Sequence, residues 1–221
     1  MDAQTQHLDT LKDIKKMMER SSRFISLSGL SGIAAGCCAL VGAWFAYGII
    51  HGSGGKDAYN SLMVSDVALP IHVGTTLKDY MGNALFRIAF FTFISAFVLA
   101  FIFTYIRSKK NHTPIWTSTS KRLLINVCVP LIAGGFYLLK LVENGAYGLI
   151  APGCLIFYGL ALINGSKYTL GEIKYLGYGQ VLLGVINLLF IGQGLYFWAL
   201  GFGVLHIVYG AIMWWKYEKV R

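Results

Sequence analysis

MGNALFRIAFFTFISAFVLAFIFTYI, residues 81–106, is the stretch that decides the fold. It is apolar almost throughout, with Arg87 as its one charge, and it is long enough for a helix to cross a bilayer. Phe86, Phe90, Phe93, Phe97 and Phe101 recur every three or four residues, which places them in one stripe along a helix. Lipid contact or packing is the plain reading of such a stripe. A route for an aromatic or isoprenoid ligand is the sharper one.

The same texture extends outward through the chain. Apolar spans run over about 24–50, 81–106, 123–142, 146–163, 175–191 and 195–215, the fifth being near the lower limit for a crossing. Of the 221 residues, 56% are hydrophobic and only 13% are charged, against about 25% charged in a soluble domain. Mean hydropathy is +0.59. These values exclude a disordered, collagenous or ordinary soluble chain. The fold class expected is therefore all-α, a polytopic membrane protein with six transmembrane helices.

A short amphipathic helix is expected ahead of the first span. Leu8, Leu11, Ile14, Met17 and Met18 share one face of residues 7–20, while lysines, acids and Arg20 occupy most of the rest. It would lie in the membrane interface or dock on a partner or a second copy of the chain. The domain scheme is then a segment 1–23, a six-helix domain 24–215 with an outer cap loop at 51–80, and a tail 216–221. The first 20 residues lack the apolar core of a secretory signal, so the first span reads as retained.

Charge placement sets the topology. With the amino terminus inside, the inner segments hold 15 of the 19 Lys and Arg residues, and the outer loops hold Lys56 and Lys78. Short loops with this bias follow the positive-inside rule. Both termini are expected in the cytoplasm, and the net charge of +9 then reflects membrane anchoring and contact with lipid, without nucleic acid. Tyr and Trp near the span ends suit the membrane interfaces.

Two small-residue lines mark the first span as central: Ser28–Gly32–Gly36, and Ser31–Ala35–Ala39–Ala43. Small side chains let another backbone approach closely. Pro152 and Gly153 are expected to kink or unwind the fourth span. A weak repeat relates Asn144-Gly-Ala-Tyr to Gln193-Gly-Leu-Tyr, and Phe157-Tyr-Gly-Leu-Ala to Val208-Tyr-Gly-Ala-Ile. It suggests that spans three–four and five–six are equivalent hairpins.

Ionisable groups within membrane spans are costly and are the default functional candidates. Arg87 could snorkel outward, pair with Glu143, or bind an anion, headgroup or substrate. Lys140 and Glu143 are three residues apart and could face each other. His206 lies near the middle of the sixth span, at a depth similar to Cys37 and Cys154. One imidazole and two thiolates make a weak candidate set for a soft metal, against the plainer reading of a hydrogen-bonded packing histidine. His51, Asp66 and His72 are outer-side candidates without a recognised ligand spacing. Asn126, Gln180, Asn187 and Gln193 are expected to join helices or face a polar cavity. Glu172 is expected to interact favourably with a helix start. No phosphate loop, zinc-protease or nucleophile-elbow motif is present, so no catalytic residue is assigned and the cofactor is left open. Cys37, Cys38, Cys128 and Cys154 read as free thiols.

The opening Glu19-Arg-Ser-Ser-Arg-Phe-Ile-Ser-Leu-Ser-Gly-Leu-Ser-Gly-Ile33 resembles that of uncharacterised small bacterial six-span integral membrane proteins. The resemblance implies a bacterial cytoplasmic (inner) membrane protein and brings no substrate with it. Three functions remain open: a non-enzymatic binding or regulatory module, which the sequence favours; a transporter of a small solute or lipid; and a membrane oxidoreductase or other cofactor-binding enzyme. The partners expected are membrane lipids and a second copy or another protein.

Overall fold

The computed structural model describes residues 28–52, 84–111 and 115–219. Six helices carry these segments: α1 (Gly29–His51), α2 (Ala84–Lys110), α3 (Ser118–Glu143), α4 (Ile150–Gly165), α5 (Ile173–Leu189) and α6 (Gly194–Tyr217). Single 3₁₀ turns, Tyr147–Leu149 and Ser166–Tyr168, extend α4 at both ends. With these turns counted, α1, α2, α3, α4 and α6 are long and apolar enough to cross a membrane. At 17 residues, α5 is the short sixth member and sits at the lower limit for a crossing. The chain is an all-α polytopic membrane protein. The amphipathic segment, the cap loop and the outermost tail residues lie outside the described residues.

Local chemistry fixes the element ends. Thr117 caps α3 through a reciprocal box: its hydroxyl accepts from the Ser120 amide at 3.1 Å, and the Ser120 hydroxyl accepts from the Thr117 amide at 2.7 Å. This starts the helix at Ser118, five residues before the span predicted from hydropathy. Gly145 (φ 73°) and Gly192 (φ 95°) supply the left-handed turns after α3 and α5.

The helices are joined through close backbone approach. Lipid tails are as apolar as leucine, so burial alone does not drive helices together and small residues must let the backbones meet. A Cβ on Gly29 would lie 2.3 Å from the Trp214 amide nitrogen, and one on Gly210 would lie 2.6 Å from the Gly29 carbonyl oxygen. This is the α1–α6 crossing. Gly159 and Gly177 meet in the same way where α4 crosses α5. Gly42 receives Thr92 of α2, and Gly134 of α3 receives the ring of Phe157. The packing order runs α2–α1–α6, with α6 also meeting α4 and α5, and α3 seated on α4.

The small-residue reading of the first span holds in three dimensions. Gly29, Ser31, Gly36, Ala39, Ala43 and Ala46 are buried. By contrast α2 and α3 bury almost nothing, and Phe90, Phe93, Phe97 and Phe101 are exposed along α2. The phenylalanine stripe is thus an outer surface suited to lipid.

One expectation is corrected. Pro152 and Gly153 do not break α4. They lie in its first turn, where a missing amide proton has little cost, and the helix runs on regularly to Gly165. The irregular turn is in α6, where Ala199–Leu205 winds as a π-helix between two α-helical pieces.

Candidate functional site

The π segment of α6 contains Gly201 and Gly203, both buried. Gly203 is overlain by Leu40 of α1, and Gly201 faces Leu155 of α4 and Gln180 of α5. No side chain shields the backbone here, so polar groups from neighbouring helices reach it. The Gly201 carbonyl accepts from Gln180 Nε2 at 2.7 Å and from His206 Nδ1 at 3.0 Å. A carbonyl can only accept, so Nδ1 of His206 carries the proton. Nε2 of the ring is then the acceptor, and the Tyr158 hydroxyl donates to it at 2.8 Å. Phe202 stacks on the imidazole with ring centroids 6.0 Å apart.

The result is a buried polar cluster on three helices: Tyr158 from α4, Gln180 from α5, and Gly201 with His206 from α6. Gln180 is fully buried and His206 is only 6% exposed. Its bonds pin an irregular turn through side chains, in a place where π turns are frequently associated with function. Two buried acceptors, Gln180 Oε1 and Asn187 Oδ1, have no hydrogen-bond partner among the described residues, and neither does the Tyr209 hydroxyl.

A second polar group sits where α1 begins and α2 and α6 end. Glu218 Oε1 accepts from the Gly29 amide at 2.6 Å and from the Ser28 hydroxyl at 3.2 Å, and it pairs with Arg107 of α2. A carboxylate at a helix start satisfies orphan amides and the positive end of the helix dipole. Nearby, Glu172 accepts from Lys216 at 2.5 Å and from the Tyr217 hydroxyl at 2.7 Å. Partial burial opposes ionisation of Glu172, but the bonds from Lys216, Tyr217 and its own backbone outweigh it and hold the carboxyl below the usual 4.5. Glu172 thus ties the start of α5 to the end of α6, with its side chain turned to Lys216 and Tyr217.

The other sequence candidates are dispersed. Arg87 is exposed on α2. Glu143 is paired with Lys140 at 2.6 Å as an exposed i,i+3 pair on α3. His51 ends α1, its ring stacked on Tyr47 at 3.9 Å. Asp66 and His72 lie outside the described residues. Cys37 is exposed on α1, whereas Cys154 is half-buried on α4. Among the described residues no three His, Cys, Asp or Glu side chains gather closely enough to hold a metal ion, so Cys37, Cys154 and His206 do not form one site. Asn126 of α3 and Asn164 of α4 are joined by a 2.8 Å bond from the Asn164 amide to the Asn126 carbonyl, whereas Gln193 is exposed in the turn before α6.

Three members of the cluster escaped the sequence reading as site residues: Tyr158, the Gly201 carbonyl and Gln180 as a partner of His206. Tyr158-Gly159 and Tyr209-Gly210 are matched pairs of the repeat, and each glycine lies at a tight helix crossing. The cluster can exchange hydrogen bonds or take a proton at Nε2 of His206. The chain matches no protein-family model, no curated protein and no solved structure.

Proposed function

We propose that the protein is a non-enzymatic binding or regulatory module of the membrane, with the His206 cluster as its responsive element. The observation that carries this reading is the π turn held by side chains, with His206 and Gln180 both donating to the Gly201 carbonyl. A π turn holds one residue more than the α-helix it interrupts. Loss of the side-chain bonds favours rewinding to an α-helix, which would rotate the piece from His206 to Tyr217 against α1. Gly210 and Trp214, on that piece, form the α1 crossing. A local change at the imidazole would therefore be read out at the end of the bundle where Glu218 meets Gly29. This is a two-state element biased by one side chain.

The clustering of Arg107, Lys109, Lys110, Lys121, Arg122, Lys167, Lys174, Lys216 and Lys219 toward one end of the bundle supports a cytoplasmic placement of that end. The resemblance of the opening supports a bacterial inner membrane. In the test, the mildly purified complex is weighed by native mass spectrometry, and sealed liposomes are assayed for solute flux. The expected result is a second protein or a second copy at fixed stoichiometry, lost in Gln180→Leu, which removes one of the two bonds to the Gly201 carbonyl, with no flux. Solute flux abolished by His206→Ala would overturn the reading in favour of transport. That second reading draws on the unpartnered acceptors Gln180 Oε1 and Asn187 Oδ1, seven residues apart on one face of α5.

A further inference from the structure

Ile212, Trp215, Lys216 and Lys219 stand three, one and three residues apart, so they share one face of α6 and of the turn that follows it. Ala211, Ile212, Trp215 and Lys216 line a shallow hollow on the outside of the bundle. The small side chain of Ala211 leaves the hollow open, and the exposed Ile212 and Trp215 form its walls. Val204 and Val208, also exposed, continue the same stripe toward mid-span. From Val204 to Trp215 the stripe covers about 16 Å at 1.5 Å per residue. One leaflet of the hydrocarbon core is about 15 Å deep. An acyl chain laid from the hollow along Val208 and Val204 therefore stays on apolar side chains to the middle of the bilayer.

The charged rim suits the other end of such a molecule. The Lys219 ammonium lies over the Trp215 ring, 4.7 Å from its centroid. It has no carboxylate partner among the described residues. Lys216 donates to Glu172 at 2.5 Å, and its ammonium, with three donors, keeps two for another acceptor. Glu218, the neighbouring carboxylate, is turned to Ser28, Gly29 and Arg107. Two lysines against the single carboxylate of Glu172 leave the rim with one positive charge. An indole at headgroup level, with a lysine reaching past it, is an arrangement that membrane interfaces favour.

We propose that this face of α6 is a binding site for one anionic phospholipid of the leaflet at the basic end. An acyl chain lies in the hollow and along Val208, and the phosphate meets Lys219 and the free donors of Lys216. A zwitterionic lipid fills the same stripe but brings an ammonium toward two lysines, so the rim discriminates against it. The site stands whether or not the His206 cluster is the responsive element.

In the test, the full chain in micelles is titrated with phosphatidylglycerol and, separately, with phosphatidylcholine of the same chains, and bound lipid is counted by native mass spectrometry. The expected result is one phosphatidylglycerol, held at least roughly fivefold more tightly than phosphatidylcholine. Lys219→Gln, in the turn beyond the helix, is expected to weaken it about fivefold, the usual weight of one lysine at an anionic membrane surface. Ala211→Phe fills the hollow without changing charge and is expected to weaken it at least as much. Lys121→Gln removes an exposed charge at the start of α3, a helix seated on α4, and is expected to leave the affinity unchanged. Equal affinity for the two lipids overturns the proposal. Equal losses in Lys121→Gln and Lys219→Gln overturn it too, since diffuse attraction to the basic end produces that pattern. Unchanged affinity in Ala211→Phe overturns it as well, because the headgroup alone would then be held. If Ala211→Phe does not fold, Trp215→Ala takes its place, removing one wall and the ring beneath Lys219, and unchanged affinity there is the overturning result.

Discussion

The hydroxyl of Tyr158 donates to Nε2 of His206 across 2.8 Å, while Nδ1 of the same ring donates to the Gly201 carbonyl, so both ring nitrogens of one buried histidine are committed to different helical segments. Tyr158→Phe leaves Nε2 buried without a donor. The expected cost is about 1 kcal/mol, since buried hydrogen bonds within membranes contribute less than their isolation suggests. Reversible denaturation in micelles measures it. The Nδ1–H tautomer is expected to persist, visible in the ¹⁵N shifts of His206, because its bond to Gly201 is untouched.

The glycine crossings differ sharply in tolerance. At Gly29 a methyl group would meet the backbone of Trp214 and Gly210, neither of which can swing aside. Gly29→Ala is expected to destabilise by about 2 kcal/mol or more. Nothing lies within 4 Å of the corresponding position at Gly135 in α3. There alanine is expected to be neutral, or stabilising by about 0.5 kcal/mol through helix propensity. Paired unfolding curves for the two variants check this contrast.

Acid should loosen the joint between α5 and α6. The folded-state value of Glu172 is lowered, so the stability it contributes is full above the ordinary value of 4.5 and is lost as pH falls through the folded value below that. Thermal unfolding in micelles is expected to be flat with respect to this group from neutral pH to about 5 and to decline below it. Glu172→Gln should remove that part of the decline. The exposed position of Lys216 keeps the effect modest and sensitive to salt.

Orientation is open to direct measurement. With the basic end in the cytoplasm, a fluorescent protein fused after Arg221 is expected to mature, and alkaline phosphatase at the same position to stay inactive. The opposite pair of results would invert the assignment and place the Glu218–Arg107 contact on the outer face.

The spans were legible because each is a long apolar run bounded by charge or glycine. α1 was expected to reach Ile50 and ends at His51, and the third span, expected to end at 142, ends at Glu143. The burial of Ala39 and Ala43 followed from four-residue spacing alone. The site was less legible. His206 stood out as an ionisable group at mid-span, but Tyr158 looks like any tyrosine within an apolar span until α4 is packed against α6. The π turn has no proline to announce it; it depends on Gly201 being reached by Gln180 from another helix. The proline that did suggest an irregularity, Pro152, fell in a first turn where helices accommodate it. Tertiary contacts decided each of these points, and hydropathy carries no information about them.

Glu218 accepts from the amide of Gly29, 189 positions earlier in the chain. Synthesis runs from Gly29 toward Glu218, so the first membrane helix is made and inserted long before the carboxylate that seals its start exists. Until then its leading amides must rest on water or lipid headgroups, and α2 must stand beside it without the Arg107 clasp. Closure of the bundle is consequently a late act of biogenesis, and a chain released before Glu218 would leave its helices in the bilayer with their first joint still open.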